Sequence, residues 1–146
     1  MKAIGGCRVH KLVVDVAVVA QEKVLLVKYV NAQKYNGQKG WFLPDDLLNH
    51  LEHPEDGARR ILTEQVGMNP GRLTLRNIES FAGDDGTWHL IFHHLWEPSN
   101  LPKLNPGKNI AACEWFDLNS LPDRSQFSHH GWGLDVLNKM LQRSSS

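Results

Sequence analysis

The residues best placed to do chemistry lie in segment 43–68, LPDDLLNHLEHPEDGARRILTEQVGM. Glu64 is followed by Gln65 and preceded, one helical turn earlier, by Arg60. Carboxylates that lie one turn apart on a helix can converge on a divalent metal, which clamps phosphoryl oxygens and activates water. Yet Ile61 stands one turn before Gln65. An ordinary amphipathic helix with an Arg60–Glu64 ion pair explains the same pattern. The segment by itself leaves both interpretations open.

These side chains need a helix to position them, and the segment predicts one from Pro54 to Val66. Proline suits the first helical position, and Glu55 and Asp56 follow it at the positive end of the helix dipole. Gly67 is a favourable C-terminal stop. The apolar stripe consists of Ala58, Leu62 and Val66. Ile61 borders this stripe and is expected to widen it.

The rest of the chain predicts strands on both sides of that helix. The predicted elements are a β-hairpin (11–20 and 23–30), a polar loop (31–40), a short strand (41–44), two strands around the turn GDDG (72–83 and 87–97), a further strand (111–118) and a closing helix (131–143). This order predicts an α/β (α+β) domain with a mixed β-sheet between helices. We expect one domain over residues 1–146, with 144–146 as a disordered tail.

Composition excludes several classes of partner. The 16 Lys and Arg residues equal the 16 Asp and Glu residues, which argues against strong nucleic-acid binding. The apolar run 12–20 is too short to span a membrane and contains Asp15. It also lacks the cleavage pattern of a signal peptide. Cys7 and Cys113 lie far apart, as ordinary thiols of a reducing compartment do. We therefore expect a cytoplasmic protein without a membrane partner.

The central segment resembles the Nudix box, the pattern G-x5-E-x7-R-E-U-x-E-E-x-G-U, in which U is a bulky aliphatic residue. The pattern covers residues 46–68, with Glu52 on the first glutamate, Arg60 on the arginine and Glu64 on the third glutamate. Upstream, GWFLP is similar to the family's lead-in G-x-W-x-L-P. Downstream, EWFDLNSLP (114–122) is similar to its later E-W-F-x-x-x-x-L-P element. The resemblance implies a Nudix-like α/β/α sandwich.

The resemblance also implies an activity and a set of site residues. Nudix enzymes use Mg²⁺ or Mn²⁺ to hydrolyse a nucleoside diphosphate linked to another moiety. Carried over by position, Glu64, Glu52 and Arg60 are the candidate catalytic residues. Glu64, Asp46 and Gln65 are the candidate metal ligands. The expected partner is a nucleotide-like small molecule, and a homodimer is possible.

Three departures from the family pattern put this catalysis in question. Asp45 and Asp46 replace the usual Gly-Gly pair, and Ile61 and Gln65 replace two box glutamates. Gln65 keeps an oxygen ligand but no charge, and Ile61 can neither ligate a metal nor accept a proton. A site with one charge instead of three should hold a divalent metal much more weakly. The alternative is therefore a non-catalytic domain that binds a nucleotide or nucleotide-sugar, and a purely structural or interaction domain is a third reading.

Replacement groups exist elsewhere in the sequence. Candidate carboxylates are Asp45, Asp46, Glu52, Asp84, Asp85, Glu97 and Glu114. Turn chemistry explains Asp84 and Asp85 equally well. His129 and His130 lie in the late loop FSHHGWG, where a base could reach a substrate. His93 and His94 should point to opposite faces of a strand and cannot share one metal.

Tryptophan side chains are the candidates for stacking on a nucleotide base. We select Trp41, Trp88 and Trp132 as candidate substrate-binding residues, together with His129 and His130. Trp88 follows the predicted turn and Trp132 lies in the late loop, so these two are expected to be the more exposed. Packing in the core or on the sheet is the alternative for each tryptophan.

Overall fold

The structure is a computed structural model that describes residues 10–31, 37–83 and 85–142. Its elements are β1 (His10–Ala20), β2 (Lys23–Tyr29), β3 (Asp45–Leu47), α1 (Pro54–Val66), β4 (Thr74–Ala82), β5 (Trp88–Trp96), β6 (Ile110–Asp117) and α2 (Trp132–Met140). Two short 3₁₀ turns, Arg124–Gln126 and His129–Gly131, precede α2. Across the described ranges, no helix is long and apolar enough to cross a membrane. The predictions for Cys7, Asp84 and the tail 144–146 fall outside these residues.

The strands form one mixed sheet in the order β4-β5-β1-β2-β6, with β3 paired to β1. β1 runs parallel to β5, and the other pairs are antiparallel. Gln21 and Glu22 join β1 to β2, and both have positive φ angles, 50° and 61°. That backbone twist matches the twist of two antiparallel strands. The predicted hairpin is confirmed.

The two helices cover opposite faces of the sheet because side chains alternate along β1. One core contains Val14, Val16 and Val18 of β1 together with Ala58, Ile61, Leu62 and Val66 of α1. The other contains Ala17 and Val19 of β1 together with Leu134, Val136, Leu137 and Met140 of α2. The sheet therefore lies between two helices. This arrangement is the predicted α/β/α sandwich.

The short strand after the first loop differs from the prediction. Residues 41–44 are not a strand, since Trp41 and Phe42 make only isolated bridges to Phe127 and Val27. Pro44 has no N–H to donate, although its carbonyl accepts a 3.0 Å bond from Val16. Regular pairing begins after it, where 45–47 form β3 against β1. The two aspartates that replace the family's Gly-Gly pair, Asp45 and Asp46, are thus held on the sheet.

The bounds predicted for α1 are confirmed. The helix runs from Pro54 to Val66, and Gly67 ends it with φ of 69°. His53 is the N-cap, and its Nδ1 accepts a 3.1 Å hydrogen bond from the backbone N–H of Glu55. This bond satisfies one of the free donors at the helix start. The helix therefore holds its box residues at defined positions.

Candidate functional site

Gln65 is held in a closed ring of hydrogen bonds between α1, β2 and β3. The backbone N–H of Asp45 donates to the Tyr29 hydroxyl at 2.9 Å. That hydroxyl donates to Gln65 Oε1 at 2.9 Å. Gln65 Nε2 then donates to the carbonyl oxygen of Asp45, also at 2.9 Å. Both polar atoms of the Gln65 amide are engaged, and the residue is 8% exposed.

The ring requires an amide at position 65. A glutamate carboxylate could accept from the Tyr29 hydroxyl, but an ionised carboxylate has no donor for the Asp45 carbonyl. It would also place negative charge beside that carbonyl oxygen. Glutamine supplies one acceptor and one donor, which match the two partners. The glutamine therefore joins the helix to β3.

Ile61 lies in the core, as its expected role in the apolar stripe predicted. Its side chain is 0% exposed and packs with Ala58, Leu62 and Val66 in the core on the α1 side of the sheet. A glutamate here would put a charge into apolar surroundings, which is costly without a partner. This position therefore contributes packing and no ligand.

Arg60 draws the remaining box carboxylates around a positive charge. Its guanidinium contacts Glu52 twice, through Nε–Oε2 at 2.9 Å and Nη2–Oε1 at 3.0 Å. Nη1 lies 3.4 Å from Asp46 Oδ2 and 3.5 Å from Glu64 Oε2. The bond from Arg60 lowers the pKa of Glu52. The predicted Arg60–Glu64 pair is present, but Glu52 is the closer partner and the Glu64 side chain is 60% exposed.

These residues do not fit the divalent metal centre that the resemblance implies. Mg²⁺ and Mn²⁺ prefer several oxygen ligands, with carboxylates among them. Ile61 offers no ligand, the Gln65 amide is engaged, and Asp46 and Glu64 adjoin the Arg60 guanidinium. Within residues 10–31, 37–83 and 85–142, no group of three or more His, Cys, Asp or Glu side chains is arranged to hold a metal. The box residues form structural contacts instead.

A cleft of about 830 Å³ lies on the side of the sheet that α2 covers. Its lining comes from β1, β3, β4, β5 and the segment before α2. The lining residues are Lys11, Val13, Gln38, Phe42, Asp45, Asp46, Leu47, Glu79, Phe81, Ala82, Gly83, Asp85, His89, Ile91, His129 and Trp132. The volume is in the usual range for small-molecule sites. Asp45 and Asp46 connect this cleft to the box.

Two of the five candidate substrate-binding residues line the cleft. Trp132 is half-buried at the start of α2, with its ring centroid 5.6 Å from that of His93. The His129 ring meets the Phe42 ring edge-on, with centroids 5.9 Å apart. The backbone N–H of His129 donates to Gln38 Oε1 at 2.8 Å. Both aromatic groups are thus held by neighbours at the cleft wall.

The other three candidates lie elsewhere and are not among the described lining residues. Trp41 is buried, its ring 4.9 Å from that of Phe116. Trp88 is 43% exposed and donates its Nε1–H to Ser80. His130 is exposed and has φ of 57°. Asp85, a candidate replacement carboxylate, makes the turn contact that was the alternative for it: its side chain accepts a 2.9 Å hydrogen bond from the backbone N–H of Thr87.

Sequence reasoning missed a buried chain of charged groups at the cleft. His93 Nδ1 lies 2.7 and 2.8 Å from the two carboxylate oxygens of Asp15, and Nε2 lies 2.7 Å from Glu79 Oε1. Asp15 and His93 are 0% and 1% exposed. The available signal was Asp15 itself, a charged residue inside the apolar run 12–20. A charge buried in a strand requires a partner.

Family membership follows from the sequence match. The family model described as NUDIX domain matches residues 9–134, which is most of the chain. This chain belongs to the Nudix family. A search among curated proteins gave no match. Membership agrees with the position of the box on α1 and with the sandwich described above. Members of the Nudix family include hydrolases that use divalent metals.

Solved Nudix structures are similar to this chain over most of its length. The NUDIX domain of Shewanella oneidensis NrtR, complexed with ADP ribose, matches with TM-score 0.75 and 19% identity, covering 92% of this chain and 88% of that one. A MutT NUDIX hydrolase from Burkholderia pseudomallei gives 0.71 and 23%, covering 88% and 96%. A bifunctional NMN adenylyltransferase/ADP ribose pyrophosphatase from Francisella tularensis, complexed with AMP and a Mn ion, gives 0.65 and 18%, covering 88% and 41%. At these identities the likeness establishes the fold.

Proposed function

We propose that this Nudix domain binds a nucleotide derivative and does not hydrolyse it by the metal-dependent route of the box. The observation that carries the proposal is the ring of Tyr29, Gln65 and Asp45. The ring uses both polar atoms of the residue that replaces a box glutamate. In this proposal, α1 is a scaffold that holds β3 and the cleft wall in place.

The charged side chains around α1 also support a scaffold role for this helix. Asp46, Glu52 and Glu64 are carboxylates at pattern positions of the box, and all three contact the Arg60 guanidinium. A divalent cation there would have to compete with a guanidinium that is already hydrogen-bonded to Glu52 through two nitrogens. We therefore assign Glu52 and Arg60 a structural role, and Glu64 a minor one.

The cleft is the proposed ligand site, and its charge restricts the ligand. Lys11 faces Asp45, Asp46, Glu79 and Asp85 among the described lining residues. The described lining residues thus include four carboxylates and one lysine, and two of the four adjoin a further cation, Asp46 beside Arg60 and Glu79 beside His93. Coulomb repulsion disfavours a polyphosphate in such a site. A nucleotide with less phosphate charge than a nucleoside di- or triphosphate, such as a nucleoside monophosphate or a nucleotide-sugar, is therefore the favoured ligand class.

Hydrolysis by a different set of residues is the second candidate function. The observation that favours it is the presence of His129 and Glu79 in the same cleft. The His129 imidazole could accept a proton from water, and Glu79 could accept a hydrogen bond from the same water. This candidate requires turnover that does not depend on Glu64.

Parallel binding and hydrolysis measurements separate these functions. The purified protein is titrated with AMP, ADP-ribose and nucleotide-sugars by calorimetry, once with EDTA and once with Mg²⁺. The same panel is incubated with Mg²⁺ and with Mn²⁺, and products are separated by chromatography. We expect binding that persists in EDTA and no products. Turnover that is lost in Glu64→Gln would instead establish a hydrolase with a working box.

Matched variants localise the binding. His129→Ala and Trp132→Leu alter the cleft wall and should weaken binding at least several-fold. His130→Ala and Trp88→Leu make the same changes at exposed positions outside the described lining, so their affinities should equal that of the wild type. Equal weakening by all four variants would place the ligand elsewhere. Turnover that survives in Glu64→Gln but not in His129→Ala would support the second candidate.

A further inference from the structure

The chain of Asp15, His93 and Glu79 ends at the cleft. Asp15 lies on β1 and His93 lies opposite it on the parallel neighbour β5. Glu79 extends the chain from β4, where its side chain is 29% exposed and lines the cleft. Residues of three strands thus connect Glu79, which lines the cleft, to the buried pair of His93 and Asp15.

His93 holds a positive charge between the carboxylates of Asp15 and Glu79. Burial lowers the pKa of His93, but the hydrogen bonds with Asp15 and Glu79 outweigh it and raise the pKa to about 9. Burial in turn raises the pKa of Asp15. The bond from His93 lowers the pKa of Glu79. At neutral pH, the Glu79 carboxylate is therefore an ionised group held by an imidazolium.

Glu79 has acceptor capacity left for a ligand. Among the residues that the structure describes, its hydrogen-bond partner is His93, through Oε1. An ionised carboxylate accepts hydrogen bonds at both oxygens and donates none. It attracts O–H and N–H donors and repels phosphate. The lowered pKa makes Glu79 a poor proton acceptor, so this residue is better suited to binding a ligand than to accepting a proton.

Aromatic groups next to Glu79 indicate which donors these are. Phe81 lies two residues farther along β4, on the same face, and its ring stacks on that of His89 with centroids 5.2 Å apart and an angle of 9°. Phe81, His89 and Trp132 all line the cleft with Glu79. A carboxylate beside flat apolar surfaces suits a sugar, whose hydroxyls donate and whose C–H face packs on rings.

We propose that Glu79 accepts hydrogen bonds from the vicinal hydroxyls of the ligand's sugar, with His93 and Asp15 as positioning residues. The inference rests on the proposed nucleotide binding and adds the group that selects the sugar. His93 fixes the rotamer and charge of Glu79, and Asp15 fixes the ring of His93. The three residues thereby raise the affinity for hydroxylated ligands without taking part in a reaction.

The test compares AMP with 2′,3′-dideoxy-AMP, which lacks the vicinal hydroxyls, by calorimetry. Hydrogen bonds to a charged acceptor are strong enough for AMP to bind about tenfold more tightly to the wild type. In Glu79→Gln, AMP should lose most of this advantage while dideoxy-AMP keeps its affinity. Asp15→Asn should give an intermediate ratio, because Glu79 remains but is less well positioned. Glu114→Gln makes the same change at an exposed position of β6 and should keep the wild-type ratio.

The outcomes separate this inference from the proposed function. If neither ligand binds the wild type, nucleotide binding itself is wrong. If the wild type binds both equally well, nucleotide binding stands and the role of Glu79 is wrong. That comparison needs no variant, so it remains decisive even where Glu79→Gln or Asp15→Asn fails to fold. An unchanged AMP preference in folded Glu79→Gln would also overturn the inference.

Discussion

Two polar clusters lie on opposite faces of the sheet, and they differ in whether they extend to the cleft. On the α1 face, Tyr29, Gln65 and Asp45 form a closed neutral ring. On the α2 face, Asp15 and His93 form a charged pair that continues to the cleft through Glu79. Each cluster satisfies its buried polar atoms, but only the second includes a partly exposed carboxylate in a cavity.

The difference teaches where binding capacity remains in this fold. Each polar atom of the closed ring already has a partner within the ring, so the ring contributes stability and position. A chain that ends in a cleft keeps acceptor capacity for a ligand. The family resemblance directs attention to the first cluster, whereas the proposed ligand contacts lie at the second.

The largest expected effect comes from restoring a box glutamate in the core. Ile61→Glu should lower the free energy of unfolding by about 4 kcal/mol, because it buries an unpartnered carboxylate. Urea denaturation measures the loss. Ile61→Val is the matched control and should cost about 1 kcal/mol. A glutamate variant as stable as the valine variant would mean that this position can open toward a ligand site.

The chain of Asp15, His93 and Glu79 should make the free energy of unfolding fall at alkaline pH. The pKa of His93 is raised in the folded state from 6.5 to about 9. The stability it contributes is therefore fully present below about pH 6.5 and is lost as pH rises through about 9, a loss of order 3 kcal/mol. Urea unfolding at pH 6 and pH 9.5 measures it. His93→Gln should remove this difference, and a wild-type protein equally stable at both pH values would contradict it.

Substitutions in the ring of Tyr29, Gln65 and Asp45 should lower the free energy of unfolding by less, and the effects of two such substitutions should be coupled. Gln65→Glu removes the donor to the Asp45 carbonyl and should cost about 2 kcal/mol. Tyr29→Phe removes the hydroxyl that can still donate to a carboxylate at position 65, so the double variant should cost more than the sum by about 1 kcal/mol. A double-mutant cycle by urea denaturation measures this. Additive costs would mean that the two residues do not form one unit.

The smallest expected effect is at the box glutamate that remains. Glu64→Gln should change the free energy of unfolding by less than about 0.5 kcal/mol, because its side chain is 60% exposed and 3.5 Å from Arg60. Glu52→Gln removes the closer, half-buried partner of Arg60 and should cost several times more. Similar costs for both variants would show that the two carboxylates share Arg60 equally. The comparison uses thermal or urea denaturation.

The sequence by itself determined the local elements and the core. Pro54 and Gly67 mark the helix ends, and β-branched runs mark the hairpin, because these signals act within a few residues. The buried position of Ile61 followed from helical spacing. The order of elements and the box pattern were also sufficient to recognise the family, since both can be read along the chain.

Tertiary structure alone decided which polar groups far apart in the sequence meet. Asp15 and His93 are 78 positions apart, and Tyr29 and Gln65 are 36 apart. Their pairing depends on strand order and register, which local pattern does not encode. The same holds for the tryptophans, because aromatic character predicts burial or stacking equally well. The cleft and its carboxylate therefore emerged only when β1, β4 and β5 lay side by side.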